Sequence, residues 1–157
     1  MRKSQITRIP QNAQLRDQAW LDLDRIASVE VTSEESDHPI ESALLLEGKG
    51  GWRASNPGVQ TIRLIFDEPQ KLSRILLVFE DTENSRIQEF VLRRSPDVQY
   101  SPREIVRQQW NFSPPDSVRE TEDYSVELSE VKVLELEIVP NKSGGEVRAS
   151  LASLRLA

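Results

Sequence analysis

Read for alternation alone, the chain shows eight short runs with the two-residue period of half-buried strands. In Ile26-Ala27-Ser28-Val29-Glu30-Val31, the residues Ala27, Val29 and Val31 share one face. In Thr61-Ile62-Arg63-Leu64-Ile65-Phe66, the residues Ile62, Leu64 and Phe66 point inward. Leu72–Phe79 is apolar on both faces in its second half, as a strand covered on both sides would be. Further runs are Glu89–Arg93, Glu104–Arg107, Tyr124–Leu128, Val133–Ile138 and Leu151–Leu156. Leu134, Leu136 and Ile138 turn inward, which leaves Glu135 and Glu137 on a solvated face.

Turn chemistry separates these runs. Asp67-Glu68-Pro69 ends one strand, and Glu80-Asp81-Thr82-Glu83-Asn84-Ser85 divides two more. Ser95-Pro96-Asp97, Ser113-Pro114-Pro115-Asp116 and Pro140–Gly145 mark others. One short helix is predicted near Pro39, capped by Asp37 or His38, with Ile40, Ala43 and Leu44 on its buried face. Many short strands with one helix predict an all-β chain, an eight-stranded antiparallel β-sandwich. Residues 1–16 carry Arg2, Lys3, Arg8 and Arg16 and no acid. They are non-periodic, so 1–23 reads as a basic polar N-terminal arm and 24–157 as the domain.

Composition narrows the chemistry. The 157 residues suit one domain, and the net charge is −6. That balance disfavours nucleic acid as a partner. Without cysteine there is no disulfide, thiol nucleophile or thiolate metal site. No apolar run has the length of a membrane span, and the N-terminal residues lack a signal-type apolar stretch. The expected location is therefore cytoplasmic. A single histidine, His38, excludes a two-histidine metal site. No nucleophile–base pair stands out, and no enzymatic activity, metal or cofactor is expected. Asn111-Phe112-Ser113 and Asn141-Lys142-Ser143 are glycosylation sequons, without meaning unless the chain is secreted. Trp52 is expected in the core and Trp20 against the sandwich edge. Trp110 and Phe112 are the aromatics expected to be partly exposed, beside a Pro-rich loop.

The order of features carries a resemblance. The strand Ala27-Ser28-Val29-Glu30 comes first, and Ala43-Leu44-Leu45 leads through Gly48 to Trp52-Arg53-Ala54-Ser55. Gln60–Phe66, Leu72–Ile75 and Arg86–Ser95 follow. The chain closes with Leu134–Ile138 and Ala149–Leu156. Over about 24–157 this resembles the coagulation-factor type C, or discoidin-like, domains of the galactose-binding-like superfamily. The resemblance implies an eight-stranded jelly roll that binds ligands at the end distal to the chain termini. Many of those domains hold a structural calcium at an Asp-Gly turn before the tryptophan. Here the turn reads Glu47-Gly48-Lys49-Gly50-Gly51-Trp52, with a lysine where calcium favours negative charge.

Strand parity says which loops share that distal end. Successive antiparallel strands alternate in direction, so the loops near 32–42, 53–59, 80–87, 111–123 and 140–149 fall together. They bring His38, Arg53, Asn56, Asn84, Arg86, Asn111, Asn141 and Lys142 to one surface. Arg and Asn offer the paired donors and acceptors that sugar hydroxyls take. The expectation is a non-catalytic module recognising a carbohydrate or glycan-like ligand through these loops. The alternative is an intracellular protein-interaction or scaffold domain of the same fold, with a protein as ligand.

Overall fold

The computed structural model describes residues 20–157. Most of the arm expected at 1–23 lies outside the described residues. Its last residues belong to the packed body. The Arg74 guanidinium lies 4.9 Å over the Trp20 ring, Leu21 N–H donates to Leu156 O at 2.7 Å, and Leu23 is buried.

Among the described residues two short helices, α1 (Leu23–Ile26) and α2 (Glu41–Leu44), accompany eight strands. The strands are β1 (Ala27–Val31), β2 (Trp52–Arg53), β3 (Gln60–Glu80), β4 (Arg86–Ser95), β5 (Arg103–Phe112), β6 (Arg119–Val139), β7 (Ser150–Leu151) and β8 (Ser153–Leu156). Strand makes up 57% and helix 6% of the described residues, an all-β fold as the alternation predicts. Every pairing is antiparallel, in the order β1-β3-β6-β4-β5 with β8 also on β3, and β2 pairs β7 apart.

The strand count agrees with expectation but its composition does not. Thr61–Phe66 and Leu72–Phe79 are halves of one 21-residue strand, β3. Tyr124–Leu128 and Val133–Ile138 are likewise halves of β6. The register between the two strands shifts between Ile65 and Arg74, where Asp67, Glu68 and Pro69 are exposed. Pro69 donates no hydrogen bond, and bulges let a paired strand turn a corner without leaving the sheet. The first half of β3 thus pairs β1 and the second half of β6, while its second half pairs β8 and the first half of β6.

The two halves face each other across the core. Phe79 stacks on Phe90 with ring centroids 5.3 Å apart. Ile62, Leu64, Phe66, Leu134, Leu136 and Ile138 are all buried, as alternation requires. Trp52 is 1% exposed, and its ring N–H donates to Ser33 O at 2.9 Å.

Three local readings are corrected. The α2 face of Ile40, Ala43 and Leu44 is buried as expected, but Glu34, rather than Asp37 or His38, accepts the Ile40 N–H, at 2.9 Å. Phe112 is buried, because the Arg86 guanidinium covers it at 4.5 Å. Glu135 is buried too, held by Arg63 Nη2 at 2.9 Å and Arg93 Nη1 at 3.1 Å.

Candidate functional site

Strand pairing fixes which loops meet. Glu80 lies opposite Arg119, Arg86 opposite Phe112, Glu89 opposite Val139, and Val31 opposite Ile62. The segments 32–40, 54–59, 81–85, 113–118 and 140–149 therefore collect at one end of the sandwich, while α2 packs along β8. The C-terminal Ala157 sits at the other, where its carbonyl accepts from Ser73 and Arg74 N–H groups.

The loop after β1 is knitted to β2 by backbone bonds. Glu35 N–H donates to Arg53 O (2.8 Å), Arg53 N–H to His38 O (3.1 Å), and His38 N–H to Glu35 O (3.0 Å). This fixes the Glu35 carboxylate beside two arginines. Arg148 Nη1 donates to Glu35 Oε2 at 2.9 Å, and Arg53 Nε lies 3.8 Å from the same oxygen. Both guanidinium side chains stay more than 40% exposed. A ring nitrogen of His38, Nδ1, lies 3.1 Å from Gly50 O.

Two clefts open here. One, of about 120 Å³, has Arg53 and Arg148 on one wall and Glu80, Asp81, Thr82, Glu83 and Asn84 on the other. The second, of about 160 Å³, adds His38 and Gly50 and is backed by Trp52. Arg53, Glu80 and Ser150 line both, so the clefts adjoin. Two of the three acids of the far wall are paired: Glu80 with Arg119, and Asp81 with Arg86.

Of the residues expected from sequence, the structure brings together His38, Arg53 and Asn84. Asn56, Asn111 and Asn141 share the end but do not line these clefts. Asn56 N–H donates to Ser33 Oγ, and Asn141 Oδ1 accepts from Ser143 N–H within its turn and from Ile87 N–H on β4. Asn111 is exposed on β5, and Lys142 Nζ is 3.0 Å from Glu89. Arg86 is a correction. Its side chain is 1% exposed and bonded to Asp81 (2.6 Å), Gln88 Oε1 (3.0 Å) and Pro140 O (2.8 Å). A guanidinium so enclosed props the loops from within and offers nothing to a ligand. Sequence reasoning missed Arg148, Glu35 and Ser150, although the parity of the 140–149 loop already placed Arg148 at this end.

The implied calcium does not fit the residues present. Among the described residues no group of three or more His, Asp or Glu side chains converges as metal ligands. Where α2 ends, the carbonyl oxygens of Ala43 and Leu44 accept from Arg155 Nη1 at 3.0 and 3.4 Å, as does Leu154 O at 3.0 Å. Carbonyls of the kind a hard cation would take are already turned to a guanidinium.

Neither a family model nor a curated protein matches the sequence. Solved structures do match. A pectin-binding carbohydrate-binding module superimposes with TM-score 0.61 at 18% identity, over 84% of this chain and 90% of that one. The family 32 carbohydrate-binding module of C. perfringens NanJ, in complex with galactose, gives 0.60 at 17% identity, over 87% and 96%. The family 32 module of AlyQ, in complex with 4,5-unsaturated mannuronic acid, gives 0.60 at 16%, over 84% and 95%. The chain therefore has the discoidin-like jelly-roll fold of the galactose-binding-domain-like proteins.

Proposed function

We propose that the protein is a non-catalytic module that binds a saccharide in the distal clefts around Arg53. The carrying observation is the pair of guanidiniums on one carboxylate oxygen. Arg53 and Arg148 share Glu35 Oε2, and each guanidinium has five N–H donors. Donors remain for hydroxyl oxygens, while Glu80, Asn84 and Ser150 on the same clefts supply acceptors. Arg53, Arg148, Arg86 and Arg119 balance Glu35, Glu80, Asp81 and Glu83, which suits a neutral polyhydroxylated ligand. The shared fold with sugar-binding modules supports the reading, and a fold alone hosts many functions. A glycan-array screen followed by titration calorimetry of wild type, Arg53→Ala and Arg148→Ala tests it. Saccharide binding that both variants weaken is expected. Capture of a protein partner with no glycan bound would favour the scaffold reading instead.

A further inference from the structure

A larger cavity than the distal clefts lies away from the loop end. It holds about 380 Å³, within the range of roughly 300–1,000 Å³ for small-molecule sites, which the distal clefts do not individually reach. It opens on the outer face of the sheet under the β4–β5 loop, lined by Glu30, Arg63, Ile65, Ser95, Val98, Tyr100, Pro102 and Val133. That loop is a locked turn. Ser95 Oγ donates to Asp97 O (2.8 Å), Gln99 N–H to Asp97 Oδ1 (3.1 Å), and Tyr100 N–H to Asp97 O (3.2 Å). It holds Val98 at 60% and Tyr100 at 63% exposure, the two most exposed large hydrophobic side chains described. A rigid turn that keeps an aromatic ring in water over a cavity is prepared for a contact the free chain lacks.

The opposite wall is polar. Arg63 Nη1 donates to Glu30 Oε1 (2.8 Å), and its Nε and Nη2 donate to Glu135 Oε1. Arg93 continues the line of ion pairs to Glu135 and Glu137. Beyond Glu30 and Arg63 a second hollow of about 230 Å³ follows β1 and β3 past Thr32 and Thr61. The two hollows share Glu30 and Arg63, so one groove runs along the sheet from Tyr100 towards the loop end.

We propose that this groove is a second saccharide subsite, which takes units of a neutral polysaccharide. The proposal rests on the saccharide reading of the distal clefts and goes beyond it to the kind of ligand. A pyranose has an apolar C–H face and a rim of hydroxyls. Tyr100, Val98 and Pro102 offer the first a platform, and Arg63, Glu30, Thr32 and Thr61 meet the second. The line of pairs has three acids to two bases, which repels a polyanion. An open groove admits a chain where a closed pocket admits one ring.

Affinity electrophoresis of the whole chain through gels of galactan, galactomannan or arabinoxylan, with pectin as the acidic comparison, tests this. Wild type should be retarded most by a neutral polymer. Tyr100→Ala should weaken that binding at least fivefold, Tyr100→Phe should retain it, and Tyr100→Ala should melt with wild type. If Arg53→Ala removes retardation while Tyr100→Ala and Thr61→Ala stay within twofold of wild type, the groove is overturned and the distal site stands. If pectin retards wild type most, the neutral assignment is overturned. If no gel retards wild type, the saccharide reading itself falls, and the groove with it.

Discussion

Arg86 Nε donates to Asp81 Oδ2 at 2.6 Å, with the two side chains 1% and 10% exposed. This pair ties the end of β3 to the start of β4 directly behind the cleft wall of Thr82, Glu83 and Asn84. Asp81 also accepts the N–H groups of Glu83 (2.8 Å) and Asn84 (3.0 Å), so one carboxylate shapes the whole loop.

Removing Asp81 should therefore unfold more than a loop. Asp81→Ala strands a buried guanidinium, and loss of one partner of a buried pair costs about 3–5 kcal/mol. Urea unfolding reads this directly, and an unchanged midpoint would contradict it. Burial works to raise the Asp81 pKa, but the hydrogen bonds from Glu83, Arg86 and Asn84 outweigh it and hold the carboxyl below its ordinary value. The stabilisation is thus present above the unfolded pKa, near 3.8, and is lost as pH falls through the lower folded value. Asp81→Asn should show a flatter decline in stability below pH 4 than wild type.

Glu120 gives the opposite sign. It is fully buried, accepts from Gln88 Nε2 at 2.9 Å, and its other oxygen has no partner among the described residues. Burial, and then the neighbouring Glu122, push its pKa up to about 9. A raised folded pKa means full stability below the unfolded value near 4.5, then a decline as pH rises towards about 9. Glu120→Gln keeps the acceptor for Gln88 and removes the charge. It should stabilise the protein at pH 9 by about 1–3 kcal/mol and change little at pH 5. Equal effects at both pH values in chemical unfolding would refute the assignment.

Arg53→Ala and Arg148→Ala should each weaken saccharide binding by about 1.5–3 kcal/mol, the worth of a charge-assisted hydrogen bond. Melting temperature should move little, since both side chains are more than 40% exposed and share one partly exposed carboxylate. Lys71→Ala, on the exposed corner of β3 at the other end, should leave affinity unchanged. Calorimetric titration of the three variants checks the set.

Calcium added after chelation should leave the melting temperature unchanged, because only a ligand of the folded state raises it. Arg155→Ala should lower stability by about 1–2 kcal/mol, as three carbonyls lose their donor. A saturable rise of several degrees with calcium in wild type would overturn this.

The inward faces were legible in the sequence because a strand's period of two is unambiguous over six residues, as in Ile62-Leu64-Phe66 and Leu134-Leu136-Ile138. The corner at Pro69 was not. Its turn residues look the same whether a strand ends or bends through a bulge. Arg86 had a readable signal, since it alternates with Gln88, Phe90 and Leu92 and so faces inward. Chemistry argued for an exposed arginine, and geometry prevailed. Glu135 obeyed its alternation and pointed outward, yet Arg63 and Arg93 from neighbouring strands covered it. Pairings between distant segments are what one strand's pattern omits. Arg148 needed its partner Glu35, far away in the chain.

The folded-over pair of β3 and β6 also sets an order in time. Gln60 pairs with Ile138 and Glu80 with Arg119, so one antiparallel strand pair builds both layers from segments far apart in sequence. A ribosome-bound chain that has not yet released Val139 can complete neither layer, and β8 adds its edge only after that. Local contacts cannot carry the first steps, so the domain belongs among slow, late-closing folders. Its apolar halves stay uncovered until the second half of β6 has been made, which makes the nascent chain, more than the folded one, the form exposed to aggregation.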